Sequence, residues 1–260
     1  MVPGKKPVGP VEVDWSHDIP NKYQLLSFWL FRGSDSYTGG NTSAEDFYVY
    51  DAAQGKRVNI QSAYSVHYGR GFNKNGPTLY NTTGNVSPWI GWPHTGTACH
   101  SAYGWKPIVA NQEYTTLMSF EISSTSGAPK FIDGNGARII NINAISYSST
   151  AQTIRFINEA AWSASYDESF TETLVVGEDL FMGMSFNGAS NKRIAYFGNS
   201  TAERTTFTGS LTERVGIYKM MAHGLSDRLE YFMMFAKELP KDLAAEIKRD
   251  PYQFLKPAGS

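Results

Sequence analysis

Cysteine is almost missing from this 260-residue chain: Cys99 stands alone, which excludes an internal disulfide framework and suits a chain made in a reducing compartment. A lone cysteine of this kind is read as a small buried hydrophobe. No charge of one sign dominates, since 23 Lys and Arg face 24 Asp and Glu. Without a basic field or a polybasic run, neither nucleic acid nor a membrane surface is expected as a partner. Long apolar runs are missing too. No segment approaches the roughly 18 apolar residues of a spanning helix, and the N-terminus is rich in Pro and Gly where a signal peptide has an apolar core. The expectation is a leader-free chain made in the cytoplasm. The sequons at Asn41, Asn81, Asn85 and Asn199 then carry little meaning.

Catalytic signatures are equally scarce. There is no Gly-x-Ser-x-Gly nucleophile elbow and no Gly-x-x-x-x-Gly-Lys-Ser/Thr phosphate loop. The five histidines, His17, His67, His94, His100 and His223, show no His-Glu-x-x-His spacing. The nearest pair, His94 and His100, flanks Cys99, and a zinc site there would need a fourth ligand from elsewhere. No cofactor, metal or catalytic residue is assigned.

What the chain does have is strand-length apolar runs, with 41% hydrophobic and 14% aromatic residues, enough for a full core. Met118, Phe120 and Ile122 alternate with Ser119 and Glu121, and Leu180, Met182, Met184 and Phe186 alternate with Gly183 and Ser185. That period predicts half-buried strands. Further strands are expected at 137–142, 153–158, 193–197, 213–220 and 229–235, the last apolar on both faces and so central or covered. Asn187-Gly188 supplies a hairpin signal. Many short strands with polar turns predict an all-β, two-sheet antiparallel β-sandwich. Residues 1–24, with Pro3, Pro7, Pro10 and Pro20, read as an extended arm; 25–260 form the sandwich domain, with a loop-rich insertion near 59–111.

One short helix closes the chain. Pro240 suits a first helical position, Asp242 and then Lys248 and Arg249 complement the dipole, and Asp250-Pro251 stops the helix. Leu239, Leu243 and Ile247 form a narrow apolar stripe for docking on a sheet.

This ending, with Val8-Gly9-Pro10-Val11-Glu12-Val13-Asp14-Trp15-Ser16-His17 and Leu26-Ser27-Phe28-Trp29-Leu30-Phe31 at the other end, resembles the LamG-like, concanavalin A-type jelly rolls of tailed phages and prophages. The resemblance implies a jelly roll and a virion structural protein, a decoration or auxiliary protein on the outer shell of a capsid. It implies virion proteins as partners, a homo-oligomer and localisation in the virion. The arm would be the grip, through Pro7, Val11, Val13, Trp15 and His17, fastened on its own sandwich or on a neighbouring subunit. Deleting residues 1–20 is then expected to leave a folded domain that no longer joins its particle.

The same architecture hosts glycoside hydrolases. The Glu-x-Asp-x-x-Glu signature of the laminarinase-like relatives is absent, however, and Glu168 and Glu172 on one strand face would lie about 13 Å apart, beyond either hydrolytic geometry. A non-enzyme is expected. Some LamG relatives bind calcium, but Asp133-Gly134-Asn135-Gly136 offers two oxygen ligands and reads better as a hairpin turn. The alternative function is a carbohydrate-binding adhesin or tail-associated lectin. Its candidate surface is Tyr80, Trp89, Trp92, Tyr103 and Trp105, whose rings could meet a sugar face or a protein partner, with surface glycans as ligands.

Overall fold

The computed structural model describes residues 6–7, 9–31, 37–38, 47–59, 61–62, 68–73, 76–81, 89–91, 113–121, 132–134, 141–144, 152–157, 165–173, 175–190, 192–205, 218–221 and 228–259. In chain order the strands are β1 (Val11–Val13), β2 (Leu25–Leu30), β3 (Tyr37–Thr38), β4 (Phe47–Asp51), β5 (Lys56–Asn59), β6 (Gln61–Ser62) and β7 (Tyr68–Asn73). There follow β8 (Gly76–Asn81), β9 (Trp89–Gly91), β10 (Glu113–Glu121), β11 (Ile132–Gly134), β12 (Asn141–Ala144), β13 (Gln152–Ile157) and β14 (Ser165–Phe170). The last are β15 (Asp179–Asn187), β16 (Lys192–Phe197), β17 (Ser200–Arg204), β18 (Tyr218–Met221), β19 (Arg228–Phe235) and β20 (Leu255–Pro257). Helix α1 (Asp18–Lys22) precedes β2, and helix α2 (Lys241–Arg249) precedes β20.

The main sheet runs β17-β16-β15-β10-β19-β2-β4-β3, with β5 on β4 and the β7–β8 hairpin on β19. Four-stranded (β11-β18-β9-β6) and three-stranded (β12-β13-β14) sheets and the β1–β20 ribbon complete the described ladders, all antiparallel. The architecture is the all-β sandwich that the sequence predicts. Strand β19 is central, between β10 and β2, as its two apolar faces require.

Strands β10 and β15 differ from expectation. They are buried on both faces, not one. One face carries Phe28, Leu30, Leu117, Phe181, Tyr196, Met233 and Phe235, packed under Val11, Val13, Ile19, Leu239, Ala244, Ile247 and Phe254. The other carries Trp29, Met118, Phe120, Met182, Met184, Phe197 and Phe232. Here Trp29 meets Phe232 at 5.3 Å and Phe170 stacks on Phe197 at 5.4 Å. Two polar residues of these strands, Thr115 and Ser185, are hydrogen-bonding partners of the covering layer. Thr115 Oγ1 donates to Lys237 O at 2.8 Å and accepts from Leu239 N at 2.9 Å; Tyr196 OH donates to Leu239 O at 3.0 Å. Thr115 and Ser185, 2.7 Å apart at their hydroxyls, thus form a polar seam inside the protein, where unpaired groups are costly. Opposite Leu117, Gly183 is required by close approach, since a Cβ there would lie 2.2 Å from Thr116 O.

The described residues of the N-terminal arm are fastened on the chain's own sandwich. Strand β1 pairs with β20 from Val11↔Pro257 to Val13↔Leu255, Asp14 N donates to Phe254 O at 2.9 Å, and Tyr50 OH donates to Val11 O at 2.7 Å. Its prolines permit this. Pro10 only accepts, from Ala258 N at 3.1 Å, and Pro20 sits in the first turn of α1, where no N–H is needed. The Trp-Ser-His segment is a local device: Asp14 Oδ1 accepts from Ser16 N and Ser16 Oγ, and His17 Nδ1 caps α1 by accepting from Ile19 N at 3.2 Å.

Helix α2 begins one residue later than expected, with Pro240 as its N-cap and Ala244 N closing the first turn on Pro240 O at 3.0 Å. Asp250 ends it in extended backbone, as a residue before proline must. Ala244 and Ile247 are its buried contacts. Within 59–111 the described residues are all strand, and the β7–β8 hairpin extends the main sheet at Arg228 and Leu229. Asp133 and Gly134, expected in a turn, stand in a ladder opposite Lys219 and Tyr218; a strand edge with cross-strand partners outweighs turn composition there. Asn135 and Gly136 lie outside the described residues.

Candidate functional site

The structure places the sequence-predicted site residues in different parts of the fold. Pro7 is buried, Val11 and Val13 are 3% and 2% exposed in the core, and His17 packs its ring 5.9 Å from Phe254. Of the two anchorages left open for the arm, the described residues show the intramolecular one. Trp15 alone of the set turns outward, 46% exposed. Of the aromatics, Tyr80 lies in β8 at the register position of Arg228, and Trp89 lies in β9 opposite Met221, in another sheet. Trp92, Tyr103 and Trp105 lie outside the described residues, as do His94, Cys99 and His100. Among the described residues no group of three His, Cys, Asp or Glu could hold a metal, and no helix is long and apolar enough to cross a membrane.

A cleft of about 320 Å³ opens instead between α2 and the β16–β17 hairpin. Its floor is Phe181 and Tyr196; Asn199, Ser200 and Thr201 line the hairpin side, and Lys241, Lys248 and Arg249 the helix side. The hairpin loop is the pair Gly198-Asn199, closed by Phe197 opposite Ser200. Gly198 has φ +56°, the positive value that a two-residue turn of type II′ needs at its first position. A second constraint acts there: Glu172 Oε1 accepts from Asn199 N at 2.6 Å, and a Cβ on Gly198 would lie 1.6 Å from Glu172 Oε2. Gly198→Ala therefore must break either the turn or the Glu172 contact. We expect a loss of about 1–3 kcal/mol by urea unfolding. An unchanged midpoint would mean that Glu172 swings aside freely.

The electrostatics of the cleft are graded along α2. At one end Lys241 pairs with Glu203 at 2.7 Å, and Lys192 bridges Glu238 at 2.8 Å and Glu203 at 3.6 Å. The hydrogen bond from Lys241 holds the Glu203 carboxyl below its ordinary value. These groups are partly exposed to water, so their worth is small. At the other end Lys248 Nζ donates to Gly198 O at 2.8 Å and to Asn199 Oδ1, and burial pushes its ammonium pKa down. Beneath, burial raises the Tyr196 hydroxyl, which stays protonated as the donor to Leu239 O. The arrangement offers apolar rings, an amide, hydroxyls and cationic donors to a small polar ligand, but no acid–base pair.

Glu168 and Glu172, weighed as hydrolytic carboxylates, serve other groups. Glu168 pairs with Arg204, and Glu172 holds the Asn199 turn. The sequence did contain a signal for the cleft: Gly198-Asn199 between Phe197 and Ser200 is a hairpin dipeptide. By sequence alone Asn199 marks only a sequon, and the helix cations serve as dipole partners.

No protein-family model and no curated protein matches the sequence. Solved structures do match in fold. Domain 4 of AbnA, a GH43 extracellular arabinanase from Geobacillus stearothermophilus, solved in complex with arabinotriose, aligns at TM-score 0.53 and 11% identity over 86% of this chain and 97% of that domain. The binding domain of Paraclostridial Mosquitocidal Protein 1 aligns at TM-score 0.56 and 9% identity, over 86% of this chain and 51% of that one. Trypanosoma rangeli sialidase in complex with sialic acid aligns at TM-score 0.54 and 10% identity over 88% of this chain, which spans only 33% of the sialidase. At these identities the likeness is one of fold: the chain is a β-sandwich shared with domains of glycan-directed and binding proteins.

Proposed function

We propose that this chain is a non-enzymatic carbohydrate-binding β-sandwich module. The observation that carries the reading is the cleft between α2 and the β16–β17 hairpin, where rings, an amide, hydroxyls and cations converge on one ligand-sized space. A sugar needs that mixture, apolar faces against a ring and hydrogen bonds around its edge. The shared fold with an arabinanase domain solved with arabinotriose supports it. So does the engagement of Glu168 with Arg204 and of Glu172 with the Asn199 turn.

The test is a glycan array probed with the purified chain, followed by titration calorimetry on the best ligand. Binding is expected, with Thr201→Ala weakening it about tenfold while the urea midpoint is kept, because one ligand hydrogen bond is lost. An array without binders would remove the reading. Release of reducing sugar from the bound glycan would replace it with a hydrolase.

Placement of such a module on a phage capsid rests on the resemblance of its two ends. The grip which that role assigned to the leader is engaged on the chain's own sandwich, at β1 and β20, so the carbohydrate reading has the stronger support.

A further inference from the structure

The charges lining the cleft are unequally matched. Lys241 has a carboxylate partner, Glu203 at 2.7 Å. Lys248 is half-buried, and among the described residues its two hydrogen-bond partners are the neutral oxygens of Gly198 and Asn199. Its nearest charge influence is Glu172, whose Oε1 is already occupied by Asn199 N. Arg249, the next residue, is exposed at the cleft and has neither a hydrogen bond nor an ion pair among the described residues. Two adjacent cations thus border a semi-enclosed space without a carboxylate bound directly to either. Water screens charge less in such a place than on an open surface.

We infer that the cleft selects an acidic saccharide, whose carboxylate sits between Lys248 and Arg249 while its ring lies towards Tyr196 and Phe181. The Arg249 guanidinium is a rigid fork of donors that fits a carboxylate through two parallel hydrogen bonds, and the ammonium of Lys248 has a third donor to give. Thr201 and Ser200 are placed on the opposite wall for sugar hydroxyls. The competing role for both cations is to meet the negative end of the α2 dipole. That role affects stability and is indifferent to the charge of a ligand.

This inference rests on the carbohydrate reading, and its test separates the two. Calorimetry on the full chain compares a hexuronate trisaccharide with the same trisaccharide after carboxyl reduction to the neutral hexose, which preserves linkage and size. The hexuronate is expected to bind about tenfold more tightly. Arg249→Ala should erase that preference, weakening the hexuronate far more than the neutral sugar, and Arg249→Lys should keep part of it. Equal affinity for the two sugars would overturn the acidic preference and leave carbohydrate binding standing. A preference that survives Arg249→Ala, or a variant altered only in thermal midpoint, would overturn the assigned seat. Failure of both sugars together with a blank array would overturn both readings.

Discussion

A chain lacking residues 1–20 is expected to lose its cooperative fold, the opposite of what a detachable arm implies. The deletion removes β1 and with it Val11, Val13 and Ile19, each buried at 4% exposure or less and each worth roughly 1.5–3 kcal/mol of transfer energy. It uncovers Phe254 and Leu255, which β1 shields. It also removes Lys6, whose Nζ lies 3.1 Å from Glu230 Oε2 and donates to Phe31 O at 3.1 Å and Leu229 O at 3.3 Å. Both side chains of this pair are at most 1% exposed. Removing one member strands a charge in the interior, at a typical cost of about 3–5 kcal/mol, against total domain stabilities of about 5–15 kcal/mol. Urea unfolding followed by tryptophan fluorescence reads the result. The graded version is Lys6→Met, expected to lower stability by about 3–5 kcal/mol, with Lys6→Met/Glu230→Leu recovering most of it because no unpaired charge then stays buried. If the truncated chain keeps the full-length midpoint, the N-terminal segment is an accessory after all.

Asp51→Ala should be comparably severe. The carboxylate is 0% exposed at the end of β4, and Oδ1 accepts from Phe28 N at 3.0 Å, Ala53 N at 3.0 Å and Gln54 N at 3.4 Å. Oδ2 accepts from Trp29 Nε1 at 3.2 Å. One side chain therefore satisfies a backbone donor of β2, the Trp29 indole and the turn after β4. Alanine removes the shared acceptor from all of these donors. At about 1–3 kcal/mol per buried unpaired group, without full additivity, the expected loss is about 3–5 kcal/mol. Asp51→Asn should fall between, since its amide oxygen can replace one acceptor while its NH₂ confronts another donor.

The same residue gives a pH signature. Burial pushes the Asp51 carboxyl above its ordinary value of 3.8, more than the donors around it pull it down. The native state then holds this proton more readily than the unfolded chain. Its contribution is fully present below the unfolded value and is lost as pH rises through the raised native one. The stability of the native protein relative to Asp51→Asn should accordingly decline with rising pH across that window. A flat difference would show that hydrogen bonding fully offsets desolvation.

Sequence pattern alone carried much of the fold because local signals and burial agreed there. Residues 229–235, apolar on both faces, form the central strand β19. Asp242, Lys248, Arg249 and Asp250-Pro251 frame α2 within a residue of its observed ends, since capping, dipole and proline effects act over one turn. Asn187-Gly188 does begin the loop between β15 and β16, where Asn187 Oδ1 accepts from Ser190 N at 3.2 Å.

Other features depend on partners far away in sequence. Composition makes the leader read as an extended arm whose anchorage is open, and nothing within residues 1–24 announces that Lys6 will meet Glu230 or that Val11 will pair with Pro257. Alternation makes β10 and β15 look half-exposed, yet Thr115 and Ser185 join a buried seam through Tyr196 and the backbone of residues 237–239. The candidate cleft is assembled the same way, from a two-residue turn at 198–199 and a helix more than forty residues later. Sequence by itself determined the strand and helix periods and the caps, because these are short-range consequences of side-chain chemistry. Tertiary structure decided which polar groups are buried, what holds the leader and which residues share a cleft, because burial and charge pairing are set by whatever distant chain the fold brings alongside.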